Sequence, residues 1–179
     1  MKRHLLDSPT TTLLAGSCAV LLSACVAEHT VVTAFPPGGM AAPWILTEPV
    51  WTGTMADAAD ALGSDADRWQ LWHPTRVYLA VYRNEDDEAR RLKVRCFEFV
   101  TTTDASDAFR HMRPVPLKPY KLGDEGASTG NGVLFRRGQL VFDIFGDGPE
   151  WGAEVQSALL GTHILKRLPA EAAGAGATK

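Results

Sequence analysis

Glu98 and Asp143 are the carboxylates that fall inside segments with strand character. A pair of embedded acids is what a glycosidase-type hydrolysis uses, one to donate a proton and one to act as base or nucleophile. On a sheet with one wet face, alternation can equally turn either acid to solvent. The chain has no Gly-x-Ser-x-Gly elbow and no recognisable Cys-His or Ser-Lys arrangement. His29, His73, His111 and His163 are scattered without ligand spacing, so no metal is expected. Asp57, Asp60, Asp65 and Asp67 lack a calcium loop's central glycine and terminal Glu, and suit the first turns of helices. The stretch Gly123 to Gly132 is glycine-dense enough to suggest a phosphate cradle. It is followed by a strand pattern instead of a helix start, and it contains Asp124 and Glu125, so it reads as a flexible connector and no cofactor is expected.

Other candidates concern recognition. Trp44 and Trp51, flanked by Pro43 and Pro49, are the aromatic residues expected at the surface, where they could mark an interface with sugars or a partner protein. Arg113-Pro114-Val115-Pro116-Leu117-Lys118-Pro119 has the spacing of a polyproline II ligand, yet reads better as a stiff strap across a sheet. Cys96 sits in a strand pattern and reads as a small buried hydrophobe, since a reactive thiol needs exposure and a nearby base.

The elements that would position these residues alternate between helical and strand periodicity. Thr54 and Asp57 form a helix start with Met55, Ala58, Ala59 and Leu62 on one face; Ser64 and Asp67 open a second short helix carrying Trp69 and Trp72, stopped by Pro74. Arg76 to Arg83 and Arg91 to Thr101 read as a long hairpin around the acidic turn Asn84 to Glu88. Asp104 is placed to cap a helix over Ala105 to Met112. Val133 to Arg136 and Leu140 to Phe145 make a tight hairpin at Gly138, and Pro149 is placed to open a last helix with Trp151, Val155, Leu159, Leu160 and Ile164 as its buried stripe. The expected class is α+β, an antiparallel sheet of two hairpins with helices packed on one face.

Ahead of this domain the chain changes character. Lys2, Arg3 and His4 precede an apolar run from Leu13 to Leu22, about ten residues where a spanning helix needs roughly 20. Leu22-Ser23-Ala24-Cys25 resembles the lipobox of bacterial lipoproteins. That resemblance implies cleavage before Cys25, a diacylglyceryl group on its sulfur, and stable anchoring by several acyl chains. In the family's sorting rule, Val26 in place of Asp points to the outer membrane of a Gram-negative cell, facing the periplasm or the surface. The remainder, with Ala105 to Phe109 and a Gly-rich loop before Arg136-Arg137-Gly138, is similar to small domains of unknown function in exported bacterial proteins; the likeness assigns no functional residues.

The expected organisation is a signal peptide over 1–24, a lipidated flexible tether over 25–46, a single domain over 47–168 and a disordered tail over 169–179. The net charge of −3, with no basic stripe, argues against a nucleic-acid partner. The function expected is a non-catalytic binding or assembly module held to a membrane through Cys25, with an envelope protein or cell-wall component as partner. The alternative is a small envelope hydrolase using Glu98 or Asp143.

Overall fold

The computed structural model describes residues 31–147 and 151–168. The expected leader over 1–24, the expected lipidation site Cys25, Pro149 and the expected tail over 169–179 lie outside the described residues.

Seven strands form one antiparallel sheet: β1 (Trp44–Leu46), β2 (Trp51–Gly53), β3 (Arg76–Asn84), β4 (Arg91–Glu98), β5 (Glu125–Ser128), β6 (Gly132–Arg137) and β7 (Leu140–Asp147). Their order is β1-β3-β4-β7-β6-β5, with β2 also pairing with β3. Among the described residues, besides a helical stretch over 31–34, the α-helices are α1 (Met55–Leu62), α2 (Ala66–Gln70), α3 (Thr102–Met112) and α4 (Ala153–Arg167). The class is α+β, as the alternation of periods implies.

The expectation that helices cover one face is corrected. β3, β4, β6 and β7 are apolar on both sides, and the two sides feed separate cores. Tyr78, Tyr82, Leu92, Val94, Cys96, Phe135 and Phe142 pack with Leu160 and Ile164 of α4. Val77, Phe97, Leu134 and Val141 pack with Leu62, Trp69, Ala105 and Phe109 of α1 to α3. A sheet buried on both faces needs layers on both, so α4 stands opposite the other three helices. On α4 the buried residues are Ala153, Ser157, Ala158, Leu160, Gly161 and Ile164. Val155 and Leu159, expected in the buried stripe, are 57% and 52% exposed. Gly161 explains the rotation: a Cβ there would press on Leu122 and Phe135, so the helix lays its small residues against the sheet.

The tether expectation is also corrected over 31–46. Val31, Ala34, Phe35, Ala41 and Trp44 are all buried in the α4-side core. Tyr82 Oη donates to the Pro36 carbonyl at 3.1 Å, and β1 pairs with the end of β3. Prolines here set a fixed entry path: Pro has no N–H for the ladder, but its carbonyl remains an acceptor. The Gly-rich stretch is likewise not a plain connector, because Glu125–Ser128 forms β5 and pairs with β6.

Local chemistry accounts for the helix starts. Thr54 accepts from the Asp57 N–H while Asp57 accepts from the Thr54 N–H, a complete capping box. On α3 the cap is Thr101, not Asp104; Thr101 Oγ1 accepts from the Asp104 N–H at 3.1 Å and donates to its carboxylate at 2.7 Å. The helix therefore begins one turn earlier than expected.

Candidate functional site

One row of residues crosses the sheet beneath α1 to α3. In register, Leu79 of β3 faces Arg95 of β4, Arg95 faces Asp143 of β7, Asp143 faces Leu134 of β6, and Leu134 faces Ala127 of β5. Residues opposed in an antiparallel pair share a face. A guanidinium and a carboxylate are thus set side by side among the apolar Leu79, Leu134 and Ala127 of the same row.

Two short elements above the row complete its electrostatics. The single-turn helix Gly63–Asp65 joins α1 to α2 and brings Asp65 over the sheet. Arg95 Nη1 lies 2.7 Å from Asp65 Oδ2 and 3.6 Å from Asp143 Oδ2. The Arg95 guanidinium also lies over the Phe145 ring, 4.5 Å from its centroid, a cation–π contact that holds the fork in place. Burial pushes the Asp143 carboxyl up to about 6; Arg95 opposes the shift, Asp65 adds to it, and Arg68 opposes it. Asp143 therefore exchanges its proton near neutrality, beside groups of both signs.

The row ends in an open cleft of about 540 Å³. Asp143, Arg95 and Phe145 form its floor together with Leu134, Asp65 and Arg68 enter from the α1–α2 side, and His111, Met112, Arg113 and Val115 come from the end of α3 and the segment after it. Arg113 is placed by the end of α3, where its backbone turns extended at φ −61°, ψ 149° before Pro114. Arg68 and Arg113 make no ion pair among the described residues, whereas Arg95 makes two. Such an arrangement can hold a polar ligand, and its mixed charge and titratable acid also suit proton transfer.

The acids Glu98 and Asp143 are not brought together. Glu98 faces Leu140 in register and so shares the α4 side of the sheet, while Asp143 lies on the other. Glu98 instead accepts a 2.7 Å hydrogen bond from Tyr78 Oη. Burial and that bond push the Tyr78 phenol well above its ordinary range. The expectation of a catalytic pair of strand carboxylates is corrected: strand alternation turns the two to opposite faces. Asp143 has Arg95 and Asp65 beside it instead, and His111 lines the same cleft.

Trp44 is also corrected as a surface residue. It is 2% exposed, its Nε1 donates to Gln156 Oε1 at 3.1 Å, and its ring lies 5.6 Å from that of Trp151. Trp51 is 38% exposed and lies across Gly53, whose missing side chain leaves room for the ring. Cys96 is fully buried, and burial raises its thiol far above the ordinary range.

Asp124 and Glu125, in the Gly-rich stretch, serve Arg136 and Arg137. Glu125 accepts from Arg136 Nε at 3.0 Å and from Ser106 Oγ at 2.8 Å; Asp124 accepts from the Gly138 N–H at 2.8 Å and pairs with Arg137 at 2.8 Å. Burial alone would raise the Glu125 carboxyl, but Ser106, Arg136 and Arg110 together hold it below its ordinary range. This network ties α3 to the β6–β7 hairpin and shapes one wall behind the cleft. The Pro-rich segment follows the sheet edge, with the Ser128 N–H donating to the Lys118 carbonyl at 2.8 Å.

Arg95, Asp65, Arg68 and Arg113 were not legible as a site. Only the period-two pattern of β4 carried a signal, since Arg95 sits on a polar position between Val94 and Cys96. Among the described residues, no group of three or more His, Cys, Asp or Glu side chains is placed to hold a metal, and no helix is long and apolar enough to cross a membrane. No protein-family model, curated protein or solved structure matches this chain.

Proposed function

We propose that this chain is an envelope lipoprotein, anchored through acyl chains on Cys25, whose domain is a non-catalytic binding module with the Arg95–Asp143 cleft as its binding site. The observation that carries the reading is the convergence of charged side chains from β4, β7, α2 and the ends of two further elements on one cleft, over an otherwise filled sheet. Concave sites with a few convergent polar groups are where small ligands and partner groups bind. The leader residues Lys2 and Arg3, the short apolar run and Leu22-Ser23-Ala24-Cys25 support the anchor, and Val26 supports the outer membrane as its address.

Because Val31 is already buried in the α4-side core, no more than residues 26–30 can separate Cys25 from the packed chain. On this reading the module works close to the membrane surface instead of reaching far from it.

A hydrolase remains the second reading, and one observation favours it: Asp143, poised to exchange a proton near neutrality, shares the cleft with Asp65 and His111. The two readings separate by experiment. Material co-purified from membranes with the full-length protein should depend on Cys25 and on Arg68 and Arg113, and should be retained by Asp143→Asn. Release of the bound material by wild type, but not by Asp143→Asn, would favour the hydrolase. Mass spectrometry of the mature protein should find an acylated Cys25; an unmodified terminus or a retained leader would end the anchor.

A further inference from the structure

We propose that the cleft takes a small molecule carrying an oxyanion, a phosphate monoester or a carboxylate, on a compact apolar body, and that Arg68 and Arg113 grip the anion. The inference rests on the reading of this cleft as the binding site and adds the chemistry of its ligand.

The charges of the cleft are unequal in a particular way. Three guanidiniums, those of Arg68, Arg95 and Arg113, face two carboxylates, Asp65 and Asp143, with His111 on the rim. Arg95 is fully engaged, with both acids on its Nη1 and the Phe145 ring beneath it. Arg95 takes the close contacts of both acids, and Arg68 acts on Asp143 only from beyond ion-pair distance. Arg68 and Arg113 are left lining the same cleft with no carboxylate in ion-pair range among the described residues.

Two such guanidiniums focus a positive potential into a concave, partly apolar space. Each offers a planar fork of donors that matches a carboxylate or phosphate, and the match is stronger than that of a neutral hydrogen bond. A cationic ligand would meet repulsion from both.

The rest of the lining sets the ligand's other end. Met112, Leu134, Val115 and Phe145 contribute apolar surface beside the arginines, and Val115 is 94% exposed at the rim. An aromatic or short aliphatic group would cover them and shed water, adding roughly 25 cal/mol per Å² of apolar area removed from solvent. The volume of about 540 Å³ accommodates a small molecule.

The test is calorimetric titration of the full-length protein in neutral detergent with phenyl phosphate and with benzoate, against benzyl alcohol and benzylamine as neutral and cationic controls. At least one anion binds, neither control does, and the tighter of the two anions identifies phosphate or carboxylate as the natural group. The double variant Arg68→Gln/Arg113→Gln, folded by circular dichroism, weakens binding roughly tenfold or more, as loss of charge-assisted hydrogen bonds should. Arg137→Gln, whose arginine pairs with Asp124 away from the cleft, leaves it unchanged. Equal binding of benzylamine, wild-type affinity in the double variant, or no binding of either anion overturns the proposal. If neither anion binds while co-purification still depends on the cleft arginines, the ligand assignment fails and the binding module stands; if both fail, so do both readings.

Discussion

Arg95 and Asp143 are direct cross-strand partners on β4 and β7, separated by 3.6 Å between Nη1 and Oδ2, yet the closer hold on Arg95 belongs to Asp65 at 2.7 Å. One guanidinium therefore links the middle of the sheet to the segment between α1 and α2. Only 13% of the Arg95 side chain and 16% of that of Asp143 are exposed, so neither is well solvated.

That burial predicts a signed pH effect. Asp143 has its carboxyl raised from 3.8 to about 6 in the folded chain, so the folded state holds this proton more tightly than the unfolded state. The contribution to stability is complete below about pH 4 and is lost as pH rises through about 6. Asp143→Asn lacks that falling limb. Chemical denaturation from pH 4 to pH 7 should show the variant gaining on wild type by on the order of 2–3 kcal/mol. A constant difference across that range would remove the assignment.

Deleting the arginine has the opposite character. Arg95→Leu leaves Asp143 and Asp65 without their shared partner and should cost about 3 kcal/mol near neutrality. The loss should shrink at low pH, where Asp143 is neutral, and the double variant Arg95→Leu/Asp143→Leu should recover most of it. Urea melts of the two singles and the double would measure this coupling.

Trp44 and Trp51, alike in their proline-flanked setting, should differ sharply. Trp44→Ala empties a buried site and breaks the bond to Gln156, costing about 4 kcal/mol. Trp51→Ala removes a ring that is partly in water and should cost about 1 kcal/mol. Thermal unfolding of both variants compares them directly.

Backbone approach sets another contrast. A Cβ at Gly132 would run into the Ile144 carbonyl oxygen across the β6–β7 ladder, so Gly132→Ala should cost about 3 kcal/mol. At Gly152 the space is open and only the left-handed backbone, φ 80° and ψ 26°, resists a side chain, so Gly152→Ala should cost about 1 kcal/mol. Equal losses would mean that the strands adjust where the structure shows them tight.

What could be read from the residues, and what could not, divides along sequence distance. Thr54 with Asp57, and Gly138 between two strand patterns, are local devices, and both elements appear where those residues put them. At the start of α3, Thr101 and Asp104 are both good caps three residues apart, and the extended backbone of Thr101 decides between them. Trp44 lies among prolines that suggest a linker; its partners Trp151 and Gln156 come more than a hundred residues later. The site was least legible. Each strand's alternation places Glu98 or Asp143 on one face or the other, but whether the two share a face follows from the β4–β7 register, and register is a long-range property.

The measurement closest to the central claim is photo-crosslinking in intact cells from a benzophenone amino acid placed at position 115, on the cleft rim, with position 155 on the opposite face as its control. Both sites are exposed, at 94% and 57%, so the label reaches solvent from either. A binding module working through this cleft yields a discrete adduct from position 115 that disappears with Arg68→Gln/Arg113→Gln, and none from position 155. An adduct from position 155 alone, or one from position 115 that survives loss of both arginines, would contradict it.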